Sequence, residues 1–386
     1  MGIISEVTNT ELPVTWERAC TGKHVPLPAP GTNYFDAVRE STAQFIKSNG
    51  QALVTVDEAA AKTYVDSFNV EKFDQYVTEV NQWTRKLPLK FDNFAQELNM
   101  FSIIDLLQIG SGFRRDLHAA CGRGASDTIV FGCISLHISQ TPVDAKGLQE
   151  LTLGDISQHF GIPLFGDEKP MREGVTAVTV SEASPVRPLA EIILGILQDT
   201  GRRLEQFGFA SFADFIIKIC TEQATAKHLV EKLVNAFPSL RDAAEINGKP
   251  VYLFKKAQLI AYDVFQRFKD SEKIFNFPDI AEMTLFADNV VPAMVQNHGM
   301  MTPCDAIQKK IDSSEELTLE ETTAMRAASI VAAQLVVDYA NSAECKTTPG
   351  KFPINQATLD NFWWKEGKDP ELRKINRLVC KNTVYF

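Results

Sequence analysis

A mainly α-helical chain with a small β component is what the sequence predicts, and three observations predict it. Ala226, Leu229, Val230, Leu233, Val234 and Phe237 recur at helical spacing, so they share one face of a helix. Ala257, Ile260, Ala261, Val264 and Phe268 repeat that stripe, and Ala327, Ile330, Val331, Leu335 and Tyr339 repeat it again. Alternation of the kind a half-buried strand requires is confined to short pieces, Val175-Thr-Ala-Val-Thr-Val180 and Val251 with Leu253.

Taken in chain order, residues 1–33 hold too many prolines and too little periodicity for a packed element, as His24-Val-Pro-Leu-Pro-Ala-Pro-Gly-Thr32 illustrates. An extended N-terminal arm is expected there, followed by a single domain over residues 34–386. Between Phe35 and about Val80, Glu40–Lys47 and Asp57–Phe68 each place apolar residues three or four apart, which predicts two short helices. The middle of the chain is the least regular: Asp127–Ile138 is rich in Ile, Val and Phe, and a Gly-, Pro- and charge-rich insertion over residues 161–174 precedes the strand at Val175. Beyond it come a helix ending near Phe237, a tight turn at Asn247-Gly248, a helix through Phe268, and a last long helix from about Glu320 to Tyr339. No internal repeat or heptad run interrupts this order.

Composition narrows the function classes. The 386 residues are 45% apolar, enough for a large core. No apolar run reaches the roughly eighteen residues a spanning helix needs, and Met1–Thr10 lacks the charged and apolar regions of a signal peptide. A cytoplasmic protein is expected. The seven cysteines are odd in number, far apart and never in a Cys-x-x-Cys pair, which argues for a reducing compartment and against structural zinc. A formal net charge of −10 disfavours long nucleic acid, whose binding depends on a basic face. A small molecule is the expected partner, with no membrane and no cofactor; the sequence does not give the oligomeric state.

Four segments carry candidate chemistry. Leu285-Phe-Ala-Asp-Asn-Val-Val-Pro292 joins an apolar stretch to a helix that starts with Asn289 as cap and Pro292 in its first turn. Asp288 then sits beside unpaired backbone N–H groups, which favour its ionised form, the form that orients a water or faces a cationic sugar; from spacing alone an ordinary cap is the commoner use of such an aspartate. Phe254-Lys-Lys-Ala-Gln258 opens the preceding helix, where Lys255 offers a point charge for phosphate or a solvated helix end. Gly110-Ser-Gly-Phe-Arg-Arg115 is a glycine turn with two cations, but it has neither the P-loop ending nor the dinucleotide fingerprint. His118 and Cys121 have no second pair at metal-ligand spacing, so they read as partly buried polar residues, and no metal is expected.

Several segments together resemble the queuosine salvage protein family, and they follow the family's order from about residue 36 onward. Val38-Arg-Glu-Ser41 with Phe45-Ile46 resembles its opening helix, and Phe237-Pro-Ser-Leu-Arg-Asp242 resembles its Phe-Pro-Ser-aromatic-Arg-Asp signature. Phe254-Lys-Lys-Ala-Gln258 is similar to its aromatic-Lys-Arg-Ala-Gln, and Phe286-Ala-Asp288 matches its Phe-Ala-Asp. Leu359-Asp-Asn-Phe-Trp-Trp364 with Gly367-Lys368 resembles its Leu-Asp-x-x-Leu-Trp, and Tyr385-Phe386 its two final aromatics.

The resemblance implies a helical fold akin to helix-hairpin-helix DNA glycosylases. It also implies hydrolysis of the bond between ribose and the 7-deazaguanine base of queuosine 5'-monophosphate, releasing queuine for salvage into tRNA modification. It assigns Asp288 as the catalytic carboxylate and Lys255 as a 5'-phosphate ligand, and it carries Asp105, Asn289 and Arg377 over as substrate contacts. Departures are visible. The family continues Phe-Ala-Asp with Tyr-Arg-x-Pro-Gln, whereas Asn289, Val290 and Ala293 replace the tyrosine, arginine and glutamine here. Ala324 stands where a Glu-x-Arg pattern puts an acid before Arg326, Asp105-Leu-Leu-Gln-Ile109 stands for Asp-x-Leu-Asn-Phe, and Asn376-Arg377 for a His-Arg pair. These replacements leave two other readings open: a glycosylase for another modified nucleotide, and a non-catalytic nucleotide-binding paralogue. A DNA repair glycosylase ranks below both, given the acidic balance.

Overall fold

The computed structural model describes residues 12–48, 50–83, 89–172 and 175–386. Helices dominate it. The long helix Leu319–Ala340 runs through the core and packs against Tyr34–Ser48, Glu58–Asp66 and Val290–Asn297. A capping box starts it: Thr318 accepts from the Glu321 N–H while Glu321 accepts from the Thr318 N–H. Beside this group, Lys255–Phe268 lies between Phe94–Leu106 and Ala226–Ala236, and Arg187–Phe207 packs on Ala145–Glu150.

The β component is three antiparallel two-stranded pairs, Val54–Val56 with Met301–Pro303, Lys169–Arg172 with Val175–Val180, and Ala243–Ile246 with Lys249–Tyr252. The last pair turns at Asn247-Gly248, both with positive φ (51° and 74°), which is what a two-residue hairpin of this hand needs. This short hairpin aims the chain at Lys255, the first residue of the next helix.

The expectations for the second half hold, because its apolar stripes are regular and its ends carry caps. Elsewhere the structure differs. The supposed arm is not simply extended: Val14–Ala19 is a helix, Thr21–His24 a 3-10 turn, and Trp16 is buried against the Arg187–Phe207 helix. Gly195 makes room for it, since a methyl group at that position would run into Trp16, and the Trp16 indole donates to Ser239 Oγ at 3.3 Å. The prolines are clustered after His24, and averaging them over the whole segment hid a six-residue helix. Val70–Trp83 adds a helix to the two expected before residue 84. Asp127–Ile138 belongs to the helix Ala125–Ile138, whose β-branched residues suit either conformation; fourteen residues is long for a strand. Among the described residues, no helix is long and apolar enough to cross a membrane.

Candidate functional site

Asp288 sits at the end of an extended stretch that side chains from three helices hold at four successive residues. Thr284 N–H donates to Gln258 Oε1 at 2.9 Å, Leu285 N–H to Gln356 Oε1 at 2.8 Å and Phe286 N–H to Asp360 Oδ1 at 2.9 Å, while Ala287 O accepts from Arg326 Nε at 2.7 Å. Extended backbone of this kind has no helical partners, so each buried N–H requires a side-chain acceptor. Burial, with the negative charge of Asp288 second, pushes the Asp360 carboxyl well above the usual range.

Past this clamp, Asp288 Oδ1 accepts from the Val290 and Val291 N–H groups at 2.6 and 3.0 Å. The cap of the helix Val290–Asn297 is therefore supplied by Asp288, and the Asn289 side chain makes no capping bond, contrary to the expected assignment. Capping engages one oxygen. Oδ2 has no hydrogen bond among the described residues, and the half-buried side chain lines a cavity of about 350 Å³.

Lys255 lines the same cavity. It is not a solvated helix end: Lys255 is 6% exposed and Lys256 wholly buried, and each ammonium meets a carbonyl where the helix Phe94–Leu106 finishes. Lys255 Nζ donates to Gln108 O at 3.0 Å and Lys256 Nζ to Leu106 O at 2.7 Å, where the dipole of that helix favours positive charge. Burial pulls both lysines below the usual range, and Asp288 counteracts this at Lys255. The turn before them is fixed by Asp242, which accepts the Leu253 and Phe254 N–H groups on its carbonyl and the Lys255 N–H on Oδ2. Phe254 takes φ +48° there, a strained value for a residue with a side chain.

Arg326 joins the two halves. Its guanidinium meets both Asp242 oxygens, at 2.9 and 2.6 Å, while its Nε holds Ala287 O. One buried fork thus connects the Lys255 turn to the Asp288 loop.

The cavity is also lined by the cations Arg114, Lys365, Lys368, Arg373 and Arg377, which outnumber its other acids, Glu79 and Asp127. Burial brings Lys368 down to about 8 and Arg377 to about 10, against the upward pull of Asp288 on both. Arg377 donates to Gly367 O at 2.6 Å, but its Nε is buried with no hydrogen bond among the described residues. Lys368 Nζ lies 4.2 Å from the Trp364 ring centre. Asn289 is buried at the cavity's edge, and Ile109, Val290 and Trp364 give it an apolar side. Four of the five expected site residues, Asp288, Lys255, Asn289 and Arg377, therefore share one cavity.

Asp105 does not line this cavity. It is 5% exposed and hydrogen-bonded to Asp263, a pair that bridges the helices Phe94–Leu106 and Lys255–Phe268. Burial and the facing carboxylate raise Asp105 well above the usual range, and burial brings Asp263 up to about 7. An unfolded aspartate titrates near 3.9, so the folded chain holds the extra proton from there up to the folded value. The contribution to stability is thus complete below about pH 4 and is lost as pH rises through about 7. Urea unfolding at pH 5 and pH 8 is expected to show a larger drop for the wild type than for Asp263→Asn; equal drops would contradict the shared proton.

Lys368, Arg373 and Arg114 are site residues that sequence patterns alone do not single out. Lys368 lies in the Gly367-Lys368 step and Arg114 in a glycine turn that lacks a phosphate-loop ending, and neither motif assigns its cation a role. Only the fold brings the turn at Gly110 (φ +88°) against the chain near Arg377. Among the described residues no cluster of three or more potential metal ligands occurs. His118 is exposed on the cavity's rim.

The family model described as queuosine salvage protein matches residues 168–386, which include Lys255, Asp288, Asn289, Lys368, Arg373 and Arg377 but not Asp105 or Arg114. A queuosine 5'-phosphate N-glycosylase/hydrolase from Sphaerobacter thermophilus is 32% identical over 145 residues, 37% of this chain and 44% of that protein. Proteins of the same name from Schizosaccharomyces pombe and Mus musculus are 26% identical over 217 residues and 29% over 200, covering 54% and 51% of this chain and 59% and 58% of theirs. The chain spans about half the length of the curated relatives it matches.

Proposed function

The chain belongs to the queuosine salvage protein family, and from that premise we propose that it hydrolyses the N-glycosidic bond of queuosine 5'-monophosphate, freeing queuine for tRNA modification. The observation that carries this reading is the Asp288 carboxylate, pinned through one oxygen by two backbone N–H groups and open to a cationic cavity through the other. Breaking the bond builds positive charge on the ribose, and a fixed carboxylate stabilises that charge and orients the attacking water. Because a 7-deazapurine has carbon at the position of N7, protonation there cannot help the base leave. Charge stabilisation at the sugar therefore carries more of the barrier.

In this reading Asp288 faces the anomeric carbon, Asn289 the ribose, and the flat base rests on the apolar side formed by Ile109, Val290 and Trp364. The 5'-phosphate lies against Lys255, Lys368 and Arg377. Binding it far from the reacting bond helps catalysis to the extent that it positions the sugar in the transition state. Asp105, outside the cavity, supports the Lys255 helix and makes no substrate contact. The relation to helix-hairpin-helix DNA glycosylases, and a cytoplasmic setting, belong to the same reading.

Incubation of the protein with queuosine 5'-monophosphate, followed by mass spectrometry for the free base, tests it. Arg377→Ala is expected to weaken binding of the nucleotide by about tenfold or more, the worth of a charged hydrogen bond, while leaving the unphosphorylated nucleoside little changed. Equal losses for both would remove the phosphate assignment. A second reading, release of a different modified base, is favoured by Asn289, Val290 and Ala293 in place of the family's tyrosine, arginine and glutamine. A panel of modified nucleotides in the same assay separates the two.

A further inference from the structure

A second cavity of about 740 Å³ adjoins the Asp288 cavity, and Ser111, Arg114, Asn289, Arg373 and Arg377 line both. Its far side adds Arg115, Lys374 and Lys381, and among the described residues the only acid on its lining is Asp116. Six cations thus face one carboxylate, in a chain whose net charge is −10. Asp116 is already engaged by Lys381 at 2.7 Å, and Glu371 pairs with Lys374 at the surface, a contact of small worth. Arg115 is exposed and has no ion pair among the described residues. The three arginines of the shared wall act on one another: burial, Arg373 and Arg115 lower Arg114, while burial, Arg114 and Arg373 lower Arg377. Positive charge concentrated in this way within a Debye length calls for more anion than one phosphate group, which carries about two charges.

We propose that the second cavity receives another phosphoryl group attached through the 5'-phosphate, so that the nucleotide site extends to a 5'-phosphoanhydride or 5'-phosphodiester. The first phosphate stays against Lys255, Lys368 and Arg377, the linkage passes the shared wall at Arg114 and Arg373, and the second phosphoryl group meets Arg115 and Lys374. Arginine suits this role, since its fork binds two phosphate oxygens at once. The inference rests on the nucleotide reading above, but binding of inorganic anions tests it without any base release.

Calorimetric titration of the full chain with orthophosphate and with pyrophosphate, at fixed ionic strength, is the first arm. Pyrophosphate is expected to bind about tenfold tighter or better. In the double variant Arg115→Ala with Lys374→Ala, that advantage should shrink to roughly threefold or less while orthophosphate binding stays within about twofold. Equal affinities in the wild type, or an advantage that survives in the double variant, would overturn the proposal. A second arm compares the 5'-diphosphate of the nucleoside, and a dinucleotide in which that nucleoside is joined through its 5'-phosphate, with the monophosphate. Tighter binding of the diphosphate identifies an anhydride, and tighter binding of the dinucleotide a diester; neither binding tighter would again overturn it. Failure of base release alongside a pyrophosphate preference would reject the hydrolase reading and leave the anion site standing.

Discussion

Asp288→Asn is expected to slow release of the base by roughly 10²–10⁴-fold, the usual worth of a positioned acid or base. The substitution leaves the cap in place and removes a counter-charge from Lys255, Lys368 and Arg377. An asparagine oxygen still accepts from the Val290 and Val291 N–H groups, so the helix Val290–Asn297 keeps its cap and loses only the attraction between a charge and the helix dipole, about 0.3–1 kcal/mol. The cavity keeps its volume, and its cations remain. What disappears is negative charge at the sugar, so kcat should fall while the KM for nucleotide changes little. Single-turnover measurement of free base, run beside thermal unfolding of the same preparation, checks both halves. Activity retained within about threefold, less than 1 kcal/mol of barrier, would mean that this carboxylate is only a cap.

Arg326→Ala is expected to cost about 3–5 kcal/mol of folding stability, the effect of removing one partner from a buried ion pair. The Arg326 and Asp242 side chains are 4% and 2% exposed, so neither water nor another cation replaces the lost fork. Asp242 would be left charged beneath the strained Phe254 turn, and Ala287 O would lose its donor one residue before Asp288. Arg326→Lys is informative beside it, because a single ammonium cannot bond both Asp242 oxygens and Ala287 O in the same directions. Urea titration should give a lower midpoint for both variants, with Arg326→Ala the lower of the two. Arg326→Lys should keep some stability while kcat falls through the loosened Asp288 loop. A loss for Arg326→Ala below about 1 kcal/mol, typical of a surface pair, would show that the fork does not hold the loop.

Much of the fold was legible because the second half of the chain states it at several levels at once. The stripe from Ala226 to Phe237 agrees with the Thr225 cap, and Asn247-Gly248 agrees with the hairpin on either side. The first half lacks that agreement. Trp16 docks because a glycine lies opposite it on a helix nearly 180 residues further along, and no local pattern announces such a contact. Ala125–Ile138 mixes β-branched residues with alanine, serine and glycine, so its pattern alone is ambiguous, and it packs as a helix on Phe94–Leu106 and Leu153–Phe160.

The site divides in the same way. Asp288 and Lys255 could be found because each lies in a short motif at the start of a helix. The motif did not show that Lys255 is buried, since its partner is the backbone carbonyl of Gln108, almost 150 residues earlier. Asp105 looked like a substrate contact from its motif, yet its side chain turns toward Asp263, a residue no spacing rule connects to it. The cationic wall joins Arg114 to Arg373 and Arg377 across more than half the chain, which is why the acidic composition concealed it.

In the proposed reaction the free oxygen of Asp288 faces the anomeric carbon of a bound nucleotide, and every other role follows from that placement. Crystallisation of the Asp288→Asn variant with intact queuosine 5'-monophosphate tests this most directly. The expected result places an atom of the residue 288 side chain about 3–3.5 Å from that carbon, or one water away, with the phosphate against Arg377 and Lys368. A nucleotide whose ribose lies beyond reach of this side chain, or whose phosphate occupies the Asp288 end of the cavity, would contradict it.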